Sequence, residues 1–212
     1  MMKIKVFVVD DHTVVREGIK RIITGTADME VAGEAGNGRD AIIAILKNAY
    51  DVVLLDLTLP DMAGLDVLRT VKAKKPTLPV LVLSIHPEEQ YAGRVFKEGA
   101  SGYLTKESAP SDLVQAIRKV AQGKKYISDS FGESLLGGVT GTDKKETHES
   151  LSSREYQIFR MIIDGRTVKE IAGELSLAST TVSSYRTRIL EKMGMKTNLD
   201  LMRYALDHQL ID

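Results

Sequence analysis

Three acidic side chains stand where apolar runs end. Asp10 and Asp11 directly follow the run at residues 5–9, and Asp56 directly follows Val52-Val53-Leu54-Leu55. If both runs are neighbouring strands of one sheet, their ends face one crevice and the three carboxylates converge. Such a cluster is costly in low dielectric unless a cation neutralises it. Hard oxygen donors with room for water suit Mg²⁺. A single strand-end aspartate usually just caps the next turn, whereas three at matching strand ends point to a site. Ser84 ends a further apolar run and Lys106 lies just past another candidate strand, which adds a hydroxyl and an ammonium to the same edge.

The elements that would position these groups follow from the hydrophobic pattern. Residues 5–9, 52–55 and 80–83 are β-branched or aliphatic almost throughout, as in strands buried on both faces of a parallel sheet. Weaker strand candidates are 30–32 and 102–104. Helical periodicity occupies about 14–24, 39–49, 64–75, 88–98 and 109–122. Boundary signals are Asn37-Gly38, Pro87, Ser108 and Gly123. Five βα units in roughly 120 residues predict one doubly wound, five-stranded parallel sheet of the flavodoxin-like kind.

Periodicity stops between 128 and 150, where glycines mix with Ser, Thr and charges; a short helix near 133–136 is the exception. From Leu151 onward the candidate elements are helical. Ser152 with Glu155 and Thr167 with Glu170 have capping-box spacing, Ser179 can cap a helix over 180–193 that Gly194 ends, and Asn198 can cap a fourth reaching about His208. The division predicted is 1–125, a linker at 126–149, and an all-α four-helix domain at 150–212.

Composition sets further bounds. The 212 residues fit two small domains, and 43% hydrophobic content supports ordinary cores. The 29 basic and 29 acidic residues cancel, so any nucleic-acid affinity must be local. With no cysteine, disulfides and thiolate chemistry are excluded. The start runs straight into an apolar strand, and no stretch has the length of a membrane span, so a cytoplasmic protein without membrane contact is expected. The glycine-rich stretch at 33–38 is not GxGxxG, no phosphate-loop motif occurs, and the four histidines lack metal-ligand spacing. His12, beside the acids, is expected to shape the pocket rather than to act as an acid–base catalyst.

Asp10-Asp11, the run from Asp56 to Gly64, Ser84 and Lys106 resemble, in order and spacing over residues 3–123, the receiver domain of two-component response regulators. That resemblance implies that Asp56 takes a phosphoryl group from a phosphohistidine of a sensor histidine kinase. It implies that Asp10, Asp11, Asp56 and the Thr58 carbonyl hold Mg²⁺, and that Lys106 pairs with the acyl phosphate. Ser84 and Tyr103 would be the switch residues. Glu107 stands where many receivers have proline, a change that does not touch the chemistry.

Residues 167–193 read as a helix-turn-helix: a helix over 167–175, a turn at Ser176-Leu177-Ala178, and a second helix. With the run from Leu151 to Arg186 it resembles the LuxR-type domain, which places the whole chain in the NarL/FixJ family. The resemblance implies a reading helix in the major groove of double-stranded DNA, with Ser183, Ser184, Thr187 and Arg188 as candidates for base or phosphate contacts. Arg186, Lys192 and Lys196 would touch phosphates. Four basic residues face one acid, Glu191, between 180 and 196, so positive charge is confined to the reading helix and tight binding calls for a homodimer. The fourth helix mediates dimerisation in the family, although Leu199, Met202, Ala205 and Leu206 fit an internal core equally well. The function expected is a phosphorylation-controlled transcriptional regulator, not a turnover enzyme. An aspartyl-phosphate phosphohydrolase would need a carboxylate two residues after its nucleophile, and position 58 is Thr. A receiver serving only as an unphosphorylated scaffold is disfavoured by the complete set of acids, Ser84 and Lys106.

Overall fold

The apolar runs of the first half become five strands: β1 (Ile4–Val9), β2 (Met29–Ala35), β3 (Val52–Leu55), β4 (Val80–Ser84) and β5 (Gly102–Thr105). The computed structural model describes residues 3–85, 88–128, 147–208 and 210–211. All pairings between strands are parallel, in the order β2-β1-β3-β4-β5. Between them lie α1 (Thr13–Thr24), α2 (Gly38–Lys47), α3 (Gly64–Lys74), α4 (Glu88–Lys97) and α5 (Pro110–Ala121). β3 and β4 are buried at every position, which is why their sequences are apolar without alternation. One face of the sheet presents Val6, Val8, Leu54, Leu81, Leu83 and Leu104 to α1 and α5, which contribute Ile19, Ile23, Leu113, Ile117 and Val120.

The edge strand β2 is longer than its apolar signal, because pairing with β1 carries it through Gly33 and Glu34 to Ala35. Helix α5 begins at Pro110 behind an Ala109 N-cap, and the Ser108 hydroxyl lies 3.1 Å from that of Thr105 instead of capping. The first residues of the expected linker are bound to the sheet, with Tyr126 bridging Gly102 at the edge of β5. Most of that linker, including the anticipated helix at 133–136, lies outside the described residues, as does Pro87.

The chain divides into two compact units, Met1–Thr140 and Gly141–Asp212. In the second, a 3₁₀ turn at Thr147–Ser150 precedes four helices: α6 (Ser153–Ile163), α7 (Val168–Glu174), α8 (Ser179–Met193) and α9 (Asn198–Asp207). Both anticipated capping boxes form, at Ser152/Glu155 and Thr167/Glu170. Two caps differ from expectation. Ala178, not Ser179, holds the N-cap of α8 without a side-chain hydrogen bond. Thr197, not Asn198, caps α9, because Asp200 three residues on completes a capping box that Asn198 lacks. Gly194 ends α8 in the left-handed region at φ 67°, where a side chain would be strained. Ile158, Phe159, Ile171, Leu175, Val182, Ile189, Leu201 and Ala205 form the apolar interior of this unit.

Candidate functional site

The crevice at the carboxyl ends of β1, β3 and β5 holds the predicted acids. The Asp10 amide donates to Ala35 O and the Asp56 amide to Val9 O, so both aspartates continue the strand ladders by one residue before the chain turns away. Their side chains are almost wholly buried, at 1% and 2% exposure. Lys106 Nζ lies 2.6 Å from Asp10 Oδ2 and 2.8 Å from Asp56 Oδ2. Asp11 is more open, with Oδ1 2.7 Å from His12 Nδ1. Asp10 Oδ2 and Asp11 Oδ1 are buried atoms that accept no hydrogen bond of normal geometry among the described residues.

Electrostatics follow from that geometry. Burial pushes the Asp56 carboxyl up to about 6, against the pull of the Lys106 ammonium, and the Asp10 carboxylate pushes it the same way as burial. Burial alone would depress Lys106, but Asp56 and Asp10 outweigh it and hold the ammonium above its usual range. One cation therefore serves two buried carboxylates with a third beside them. One atom each from Asp10, Asp11, His12 and Asp56 lies within 4.8 Å of the others, a donor set able to hold a divalent metal.

Ser84 is fully buried at the end of β4, and its carbonyl accepts the Lys106 amide at 2.7 Å. The Thr58 amide donates to Asp56 Oδ1 at 3.2 Å. Tyr103 lies three residues before Lys106 on β5 with its ring entirely buried, deeper than a half-buried strand tyrosine.

Supporting residues went unread in the sequence. Arg16 Nη1 donates to the Asp10 carbonyl at 2.7 Å. Asp61 accepts from the amides of Gly38 and Arg39 at 2.7 and 2.9 Å, anchoring the loop after Asp56 to the start of α2. Gly64 is needed because a Cβ there would stand 2.2 Å from the Asp56 carbonyl oxygen. A helix-type i, i+3 count cannot reveal partners so far apart in the chain; the acidic residue in the loop after Asp56 was the available signal for Asp61.

In the second unit, α7 and α8 cross through a turn containing Ser176 at φ 50°. Ser183, Ser184, Thr187 and Arg188 lie exposed along α8, while Val182, Ile189 and Met193 face inward. Two other basic groups are engaged within the unit. Arg186 Nε donates to Asn198 Oδ1 at 2.6 Å, and Lys192 Nζ to Glu155 Oε2 at 2.6 Å. On α9, Leu201 and Ala205 are fully buried, while Leu199 and Leu206 are 65% and 54% exposed. Of the four candidates, Ala205 is core, Met202 is partly buried, and Leu199 and Leu206 face outward; Leu201, which the sequence reading did not single out, is also core.

Residues 6–118 match the family model for the response regulator receiver domain, and residues 149–205 that for bacterial regulatory proteins of the luxR family. The chain belongs to the response regulators. It is 38% identical over 208 residues to the response regulator UvrY of Escherichia coli strain K12, covering 98% of this chain and 95% of that one. The response regulator GacA of Pseudomonas aeruginosa is 36% identical over 210 residues, covering 99% and 98%. Among solved structures, the RcsB response regulator of Salmonella typhimurium aligns at a TM-score of 0.61 with 27% identity, over 96% of this chain and 98% of that one. RcsB of Salmonella enterica serovar Typhimurium, bound to promoter rprA in the presence of the phosphomimetic BeF₃⁻, aligns at 0.63 with 25% identity over 95% and 98%. A response regulator with a LuxR-family domain is a phosphorylation-controlled transcription regulator of a two-component system, not a turnover enzyme. No helix among the described residues is long and apolar enough to cross a membrane.

Proposed function

We propose that this response regulator takes its phosphoryl group on Asp56 from a phosphohistidine of a sensor histidine kinase. The observation that carries this reading is Asp56 buried beside Asp10 with Lys106 bridging both carboxylates. In the transfer, an Asp56 carboxylate oxygen forms a bond to phosphorus as the phosphorus–nitrogen bond breaks, and the imidazole leaves with the electron pair. A carboxyl lifted only to about 6 remains mostly ionised near neutral pH, as a nucleophile must. Asp10, Asp11, Asp56 and the Thr58 carbonyl are the groups that would hold Mg²⁺, which when bound neutralises charge on the transferring oxygens. Lys106 holds the acyl phosphate, and the added charge attracts the Ser84 hydroxyl while Tyr103 packs below.

Residues 1–125 act as the receiver, 126–149 as the link, and 150–212 as the DNA-binding domain, working in the cytoplasm. Ser183, Ser184, Thr187 and Arg188 present the reading face to double-stranded DNA. Arg186 and Lys192 reach phosphates by exchanging Asn198 and Glu155 for them. The stripe of exposed Leu199 and Leu206 with partly buried Met202 on α9 is the surface through which two copies pair, since i, i+3 and i+7 share a helix face. Phosphorylation favours the pairing-competent form, a shift that needs only a few kcal/mol.

The test is to incubate the protein with Mg²⁺ and a small phosphoryl donor, locate the modified residue by mass spectrometry, and measure duplex binding before and after. Modification at Asp56 with tighter binding is expected. A wild-type response from Asp56→Asn would defeat the reading.

A further inference from the structure

His12 stands in the acidic crevice with no task in the reading above. It holds the N-cap position of α1, yet its side chain makes no capping hydrogen bond. The side chain is 63% exposed, and Nδ1 lies 2.7 Å from Asp11 Oδ1 and 3.4 Å from Asp10 Oδ1. That exposure leaves the ring room to turn about its side-chain torsions.

The donor atoms of Asp10, Asp11, His12 and Asp56 already fall within 4.8 Å of one another. Around an octahedral ion with bonds of about 2.1 Å, opposite donors stand about 4.2 Å apart and adjacent ones about 3.0 Å. The four donors need to close by only about half an ångström to share one ion. Asp10 Oδ2, in a residue 1% exposed, has the Lys106 ammonium at 2.6 Å, which it shares with Asp56, so two buried carboxylates have one cation between them.

We propose that His12 is a fourth side-chain ligand of this crevice, making it a mixed oxygen–nitrogen site that takes imidazole-preferring divalent ions such as Co²⁺, Ni²⁺ and Zn²⁺ as well as Mg²⁺. The inference rests on the receiver-site reading of the acids and extends it to metal selectivity. Mg²⁺ dehydrates reluctantly and keeps several waters, so it gains little from Nδ1. The later ions bind imidazole strongly and exchange a water for it. They therefore compete with Mg²⁺ for the carboxylates, and His12 sets how well. A histidine that merely pairs with Asp11 gives no such discrimination between ions.

The experiment uses the full-length protein freed of metal, titrated separately with Co²⁺ and Mg²⁺ by calorimetry, with the visible absorption of bound Co²⁺ as a second readout. His86, His148 and His208 also offer imidazoles, so the signal read is the part lost in Asp56→Asn. His12→Ala and His12→Gln are expected to weaken that Co²⁺ binding by about tenfold or more and to change its absorption. Mg²⁺ affinity is expected to stay within about twofold. Equal weakening of both ions, or of neither, overturns the role of His12. If Asp56→Asn itself weakens neither ion, the receiver-site reading falls and this inference with it. If Asp56→Asn weakens both ions while the His12 variants weaken neither, only the inference falls.

Discussion

Replacing Asp56 by Asn should make the metal-free protein more stable at neutral pH, even though it removes a partner of Lys106. The Asp56 carboxyl sits at about 6 in the folded chain against an ordinary 3.8, so the folded state holds that proton longer than the unfolded one. Its contribution to stability is therefore lost as pH rises from about 4 through about 6, and is constant above. A shift from 3.8 to about 6 corresponds to about 3 kcal/mol of destabilisation once the group is ionised. Because the carboxylate is almost wholly buried, solvent screening removes little of that figure. Asparagine behaves like the protonated acid, so the expected gain is about 3 kcal/mol at pH 7.5 and little at pH 4. In a domain of this size that is roughly 10 °C in midpoint. Scanning calorimetry in chelator, at both pH values, reads it; the first unit's transition is the one that Mg²⁺ is expected to shift in wild type. A variant no more stable than wild type at pH 7.5 would refute the reasoning. So would an equal gain at both pH values, since charge would then not be the cause.

Gly64→Ala places a Cβ against the backbone of Asp56 and Leu57, so it is expected to cost about 3 kcal/mol and to slow phosphoryl acceptance, read by thermal melting and by donor labelling. Glu155→Gln loses the charged partner of Lys192 while keeping an oxygen able to complete the capping box, which should cost the second unit about 1 kcal/mol in thermal denaturation. Burial would raise the Glu155 carboxyl, but hydrogen bonds from Lys192 and Ser152 hold it below its usual 4.5. Its stabilisation is thus full above about 4.5 and lost as pH falls further, a dependence the Gln variant should lack. Arg188→Ala should weaken duplex binding and lower its salt slope by about 1, measured by anisotropy at several salt concentrations, with stability unchanged. Arg186→Ala, which frees Asn198, should instead lower the melting temperature of the second unit.

What the sequence disclosed, and what it withheld, depended on how local each signal was. Runs such as Val52–Leu55 carry their burial in their composition, so β3 and the position of Asp56 behind it could be read directly. The capping boxes of α6 and α7 are three-residue patterns and were equally legible. Asn198 and Ser179 were misassigned as caps because a polar residue beside a helix start looks alike whether it caps or lies one place inside; only the Thr197–Asp200 reciprocity separates the two. Arg16 holding the Asp10 carbonyl and Asp61 bracing α2 depend on loops meeting in space, which no spacing rule encodes. The undecided reading of α9 reflected a real division, with Leu201 and Ala205 on the face toward the core and Leu199 and Leu206 on another face toward solvent.

Charge balance gives a route by which a change at Asp56 would reach the rest of the receiver. Three carboxylates share one ammonium, and burial, with the Asp10 carboxylate beside it, raises the Asp56 carboxyl despite the pull of Lys106. A divalent ion would bring the sum near zero, and a phosphoryl group would then add about one negative charge in one step, since the acyl phosphate carries about two where the carboxylate carried one. Lys106 is the cation within reach, so its ammonium must redistribute between Asp10, Asp56 and the new oxygens. The Lys106 backbone is tied to the sheet, because its amide is bonded to the carbonyl of Ser84 and Ser84 pairs with Thr105. The ends of β4 and β5 are therefore the first backbone to feel the change, and Tyr103, buried three residues upstream, lies on the same strand. If substituting Lys106 left amide exchange at the β4 and β5 ends of the phosphorylated protein unaltered, the signal would have to leave the crevice by another route.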